Sequence, residues 1–387
     1  MINKTSKYIT LVGLSIGLLT SCYKLDVENP NGGQNPSFET AKNAAGYIYT
    51  GQFARMSAML TQQLKGEDIH YEPIYENYIL PDNKLTNSYN TAYRHGISLA
   101  IDRKDDFENQ LGNSDNLSEE TIVGLQKSKD EGAIVAGLIY SVVNEFFSNT
   151  ERYNGRETEP TALKYSDIIE LFDGIEHEEL KNAAELAKAR VFLNQGMYSN
   201  VVTILTANGI DLNGFYSIEY SGSSTNMNEW PRFIGARGGY LNADSNNIVN
   251  SLMINDPRLV IYYTSDETFD FPMSRNGEVN LIGSIEAHFM LAEAQLREGN
   301  TSAAQTAFET GIMASMNLTG VSDYSEYMSN NGTLSTDFDM ALNQIMTEKY
   351  IGLFGHPQVF IDYKRTKLPQ IVEKNGNFPD KWMYFYQ

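Results

Sequence analysis

Two stretches of this chain repeat each other across 103 positions, and that repeat limits the fold more than any other feature. Ala189, Leu193, Gly196, Tyr198, Val201 and Leu205 recur as Ala292, Leu296, Gly299, Thr301, Ala304 and Phe308. Each set has a small residue where two helices would touch, a glycine where the chain would turn, and apolar residues that would fill a groove on the second helix. A unit of this kind cannot bury its apolar face alone, so it has to stack on neighbours.

These are the spacings of tetratricopeptide-like hairpins, and an offset of 103 is close to three periods of about 34 residues. The hairpins are placed near 179–206 and 284–316, and the second, "AHFMLAEAQLREGNTSAAQTAFETGI", fits better. The unit between them is not recognisable, so two unrelated hairpins remain the alternative. Apolar residues at helical spacing predict further helices over about 40–64, 86–112 and 117–148, and over 163–206, which includes the first hairpin. Leu342, Ile345, Met346, Tyr350, Leu353 and Phe354 form one more stripe, which stops at Gly355 and Pro357. The predicted fold class is therefore mainly α, with a helical wall beside a second, loop-rich lobe.

Two segments lack the helical period. Residues 65–85 carry two prolines and Tyr71, Tyr75 and Tyr78, which predicts an exposed, aromatic-bearing loop. Residues 208–248 are rich in Tyr, Asn, Ser and Gly. A loop so long inside a compact protein is usually functional or disordered, and its aromatics argue against disorder.

The N-terminus reads as an address. Lys4 and Lys7 precede the apolar run "YITLVGLSIGLL" at 8–19, which is too short to span a bilayer. Leu19-Thr20-Ser21-Cys22 then resembles a bacterial lipoprotein cleavage site, so 1–21 is expected to be a signal peptide and Cys22 the lipidated residue. Cys22 is the only cysteine, which excludes a disulfide within the chain. The Asn, Pro and Gly of 22–39 suit a tether, leaving 40–387 as the folded body. Loss of Lys4 and Lys7 with the leader leaves 27 Lys and Arg against 49 Asp and Glu. So acidic a chain repels phosphate backbones, and nucleic acid is not an expected partner.

Several stretches, in order, resemble the SusD/RagB family of Bacteroidota outer-membrane lipoproteins. They are Asn29-Pro30-Asn31, Asp256-Pro257-Arg258-Leu259, "LAEAQLREGN" at 291–300 and "TEKYIGLFGHPQVFIDYKRTKLP" at 347–369. In the last, Tyr363, Arg365, Thr366 and Pro369 fit the family's turn, whereas Lys364 and Lys367 depart from it. The end, "NFPDKWMYFYQ", is similar to the family's close but deviates at Asp380 and Phe385. The resemblance implies a non-catalytic surface lipoprotein in the outer membrane, with four tetratricopeptide-like units on one side. It also implies a TonB-dependent SusC-type transporter as partner and capture of oligosaccharides, or alternatively peptides.

Sugar binding needs aromatic faces with Arg, Asn or Asp close by. Tyr71, Tyr75, Asn77 and Tyr78 form one candidate set, and Tyr216, Tyr220, Trp230, Arg232, Phe233 and Arg237 another, with Trp230 the first choice. Each ring either meets a ligand or packs the lobe's own core. Glu67, Asp68, His70, Glu72 and Glu76 imitate a glycosidase or metal cluster, but an acid-rich chain throws up such clusters by chance. An exported glycoside hydrolase and a protein-binding repeat scaffold are the competing readings. No cofactor is expected; a structural Ca2+ on the carboxylates stays open, although no EF-hand loop is present. His288, on the apolar face of a repeat helix, is expected to be a packed core histidine. Arg258, Tyr363 and Arg365 are expected to tie other segments to the wall.

Overall fold

The structure is a computed structural model that describes residues 38–79, 87–113, 117–147, 164–222, 227–243, 251–263, 277–372 and 374–379. The leader, Cys22 and most of the tether lie outside the described residues, as does the end of the chain from Asp380. The expected 40–64 helix is two helices, α1 (Phe38–Thr50) and α2 (Gln52–Leu60), divided at Gly51. Strand β1 (Leu64–Gly66) and the short α3 (Glu72–Asn77) follow. The helical stretch expected to begin near 86 includes a π-helical segment, Thr91–Ile97, that leads into α4 (Ser98–Leu111). The long α5 (Glu119–Phe146) starts where Ser118 Oγ accepts from the Thr121 amide, with Glu119 and Glu120 in its first turn. Both features suit a helix N-terminus, the first by satisfying a free N–H and the second by opposing the helix dipole.

The wall continues with α6 (Tyr165–Asp173), α7 (Glu178–Asn194) and α8 (Tyr198–Leu205). Strand β2 (Tyr216–Ile218), α9 (Glu229–Ala236), β3 (Leu241–Ala243), α10 (Leu259–Tyr262) and β4 (Val279–Ile282) belong to the second lobe. Then come α11 (Ser284–Arg297), α12 (Thr301–Leu318), α13 (Ser325–Asn331), α14 (Phe338–Gly352) and α15 (Gln358–Thr366). Residues 38–387 make one compact unit in which successive helices stack, α4 on α5, α5 on α6 and α7, α8 on α11, and α11 on both α12 and α14.

The 103-residue repeat exists in three dimensions. Ala189, Leu193, Val201 and Leu205 are buried in the first hairpin, and Ala292, Leu296, Ala304 and Phe308 in the second. Each turn is closed by the same hydrogen bonds, Met197 N to Phe192 O at 2.9 Å and Asn300 N to Gln295 O at 2.8 Å. Both lie between residues five apart, as in a Schellman turn. Gly196 and Gly299 have φ of +73° and +81°, the left-handed region that a Cβ disfavours. A Cβ built on Gly299 meets nothing within 4 Å. Gly299→Ala should therefore lose only the backbone term, about 1–2 kcal/mol, read as a lowered urea midpoint with an unchanged m-value.

Buried ion pairs join the wall to what surrounds it, in the structural roles expected for Arg258 and Arg365. Arg258, at the start of α10, holds Asp256 with Nη2 at 2.6 Å, Glu348 of α14 at 2.8 Å and Ser315 of α12 with Nη1 at 2.9 Å. Arg365 of α15 grips Glu293 of α11 at 2.5 and 2.7 Å. Tyr363 packs on Phe378 near the end of the described chain, with ring centroids 4.7 Å apart. His288 is buried, and burial lowers its pKa.

Burial opposes the charged form of Glu293, but the Arg365 guanidinium outweighs it and brings the carboxyl down to about 2. An acid whose folded pKa is depressed adds stability above its unfolded pKa and loses it as pH falls towards the folded one. Glu293 is therefore expected to add about 3 kcal/mol at neutral pH, fading from about pH 5 to pH 2. Urea midpoints of Glu293→Gln and the parent should converge across that window; a constant gap would contradict the assignment.

Candidate ligand site

The two segments without helical period meet each other. Strand β1 pairs antiparallel with β3, Leu64 opposite Ala243 and Gly66 opposite Leu241. The described part of 65–85, up to Ile79, is not the expected exposed loop, because β1 and α3 fold there and Tyr71 and Tyr75 are buried. Pro73 read as a break in sequence, yet it lies in the first turn of α3, where proline costs no hydrogen bond. Pro231 does the same in α9, whose first turn is capped by Asn228 Oδ1 accepting from the Trp230 amide at 3.0 Å.

Helix α9 lies against α1 and presents Trp230 and Phe233 to different surroundings. Trp230 is 1% exposed and forms a wall of a cavity of about 450 Å3. The end of α1 (Tyr49, Thr50), residues 277–286 across β4 and the start of α11, and the stretch from Gly352 to His356 complete the lining, with Ile261 and Leu318. A volume of this size lies in the range of small-molecule sites, as does a mostly apolar lining with a few polar groups. The Glu229 amide donates to Thr50 Oγ1 at 3.3 Å, pinning α9 to α1 beside the cavity. Gly355 has φ of +71°, and a Cβ there would sit 3.1 Å from the Trp230 ring, so glycine is needed for both conformation and space.

The charged groups of the cavity are held. Arg190 reaches from α7 to grip Glu286 at 2.6 and 2.5 Å and gives Nη1 to Tyr49 Oη at 2.8 Å, while that hydroxyl donates to Leu138 O at 3.1 Å. His356 lies edge-on to the Tyr49 ring, centroids 5.0 Å apart, and its Nδ1 accepts from the Gln358 amide at 3.1 Å. Burial, helped by the Arg190 and Lys349 charges, holds His356 well below the usual histidine range, so it is neutral at pH 7. Glu278 is exposed and accepts from Ser217. A largely apolar pocket with one indole wall suits a ligand that has an apolar face.

The other side of α9 carries a ring cluster. Tyr71 stands edge-on to Phe233 at 5.6 Å and to Tyr240 at 6.2 Å; Arg55 lies 4.4 Å over Phe233, and Arg237 lies 5.7 Å from the Tyr240 centroid. Thus Tyr71, Phe233 and Arg237 come together, and Trp230 faces the cavity.

The remaining candidates lie elsewhere. Lys374 sits 3.7 Å over the ring of Tyr75, and Tyr78 packs edge-on to Phe378 at 5.4 Å. Asn77, between them, lies beside Gly376, so all three border the end of the described chain. Tyr220 is buried with its hydroxyl against Gly46 of α1, and burial raises its pKa to about 12. Tyr216 lies on β2, where burial and then Glu131 and Glu39 raise its pKa. Arg232 is exposed and paired with Glu229 at 2.8 Å. Tyr49, Arg190, Glu286 and His356 were not singled out in sequence. They come from four distant segments, and nothing in their local spacing marks them.

Among the described residues no three His, Cys, Asp or Glu side chains are grouped to hold a metal ion, and no helix is long and apolar enough to cross a membrane. Glu67 is taken up by Lys65 and Asn242, and Asp68 Oδ1 accepts from the His70 amide.

Residues 270–384 match the family model SusD-like_2, described as "Starch-binding associating with outer membrane". No curated protein matches in sequence. Solved structures share the fold over nearly the whole chain. A chitin-binding protein is 14% identical with a TM-score of 0.67, over 87% of this chain and 88% of that one. Residues 270–384 are SusD-like in sequence, and the chain shares the fold of SusD homologues. A SusD homolog from Parabacteroides distasonis is 15% identical with a TM-score of 0.66, over 86% and 84% of the two chains. A SusD/RagB family protein from Bacteroides thetaiotaomicron is 16% identical with a TM-score of 0.63, over 89% and 91%. The resemblance at 291–300 and 347–369 therefore extends to the architecture, and the mainly α class with tetratricopeptide-like hairpins is the SusD-like one.

Proposed function

We propose that this protein is a non-catalytic binding subunit that captures oligosaccharides at the outer membrane. Lipid on Cys22 would hold it at the cell surface, where it would deliver cargo to a TonB-dependent SusC-type transporter. The observation that carries the reading is the cavity walled by Trp230, which offers an indole and an apolar lining beside polar backbone and Asn280. The starch-binding, outer-membrane description of the matching family and the chitin-binding neighbour of like fold support the ligand class. Of the two acids that line this cavity, Glu286 is locked to Arg190 and Glu278 is exposed and accepts from Ser217.

Titration of a panel of neutral oligosaccharides against fluorescence in a Trp382→Phe background, where Trp230 reports alone, tests the capture step. A saturable response is expected, and a flat response across the panel would point to a scaffold. Pull-down from intact membranes tests delivery and should recover a large β-barrel transporter.

A further inference from the structure

Of the fully buried arginines among the described residues, Arg190 and Arg258 each have a carboxylate within 2.6 Å, and Arg55 does not. Arg55 is 5% exposed; its Nη2 donates to the neutral Gln52 Oε1 at 3.3 Å and its guanidinium also meets the Tyr71 hydroxyl, with no carboxylate bonded to it among the described residues. A buried cation without a carboxylate is costly, and a ring face offsets only part of that cost. The carboxylates on the neighbouring ribbon are otherwise engaged, Glu67 with Lys65 and Asn242 and Asp68 with the His70 amide. On the same ring cluster sits Arg237, exposed and without an ion-pair partner among the described residues. In a chain of formal charge −20, two arginines share three rings here, and neither is bonded to a carboxylate among the described residues, although Glu67 and Asp68 lie nearby.

We propose that Arg237, Phe233 and Tyr240 form a subsite for the carboxylate of an acidic sugar, a hexuronate within an oligosaccharide. Arg237 makes the direct contact, the half-buried rings carry the apolar side of the sugar, and Arg55 supplies a fixed positive charge behind them. A guanidinium matches a carboxylate in a planar, two-point contact. The proposal rests on the glycan reading for the class of ligand but not on the Trp230 cavity.

Calorimetry with a hexuronate trisaccharide and its carboxyl-reduced counterpart tests it on the full chain. The acid form should bind at least tenfold more tightly, with the gap narrowing as salt rises. Arg237→Gln should abolish the preference without unfolding the protein, since the side chain is exposed, and Arg232→Gln, already paired with Glu229, should leave it intact. Equal affinities for the two sugars, or a preference that survives Arg237→Gln, would overturn the proposal and leave glycan capture standing. Failure of both sugars to bind while neutral glycans still quench Trp230 would overturn it in the same way. Tighter binding of a free-acid peptide than of its amidated form, with no sugar bound, would overturn both.

Discussion

Replacing Arg258 with Leu is expected to lower stability by about 3–5 kcal/mol. The guanidinium is fully buried and holds two carboxylates, Asp256 at 2.6 Å and Glu348 at 2.8 Å, besides Ser315. Its removal strands both acids away from water, and Tyr327, which donates to Glu348, cannot neutralise them. The loss should appear as a lower urea midpoint. Asp256→Asn and Glu348→Gln added to the Leu variant should recover much of the loss, because uncompensated charge, more than lost volume, is its cause. If the triple variant is no more stable than Arg258→Leu alone, packing outweighs charge at this junction.

Trp230→Ala should remove binding and stability together, and the two must be separated. Truncating a fully buried indole costs about 3–5 kcal/mol. For ligand, loss of the aromatic wall should weaken affinity by about 2 kcal/mol, roughly thirtyfold in Kd. Trp230→Phe keeps an aromatic face against Gly355 and should retain most of the fold while losing part of the affinity. Chemical denaturation locates the stability change, and calorimetry at a temperature where both variants are folded locates the binding change. Unaltered affinity in a folded Trp230→Ala protein would remove the cavity from the proposed mechanism.

The wall was readable from sequence because its signal is local. Alanine, leucine and glycine at helical spacing specify close approach and turn within some 30 residues, and the same bonds close both hairpins 103 residues apart. The lobe was less readable, for two physical reasons. Its strands are three or four residues long and pair segments as distant as Leu64 and Ala243, so no periodicity announces them. Its prolines stand in the first turns of short helices, where they start structure that a pattern search takes as broken. Trp230 was recognisable as an aromatic beside polar residues. Its partners Tyr49 and His356 were not, because their meeting depends on the finished tertiary fold.

The cavity is assembled from both sides of residue 270, where the match to the SusD-like family model begins. The matched portion supplies the back, residues 277–286 and Gly352 to His356, whereas Tyr49, Thr50 and Trp230 come from the portion outside it. If the proposed function holds, family likeness and ligand contact lie partly in different lengths of the polypeptide. A chimera that keeps this C-terminal portion and takes its first 269 residues from a relative would exchange the indole wall and keep the floor, so cargo preference should travel with the N-terminal donor.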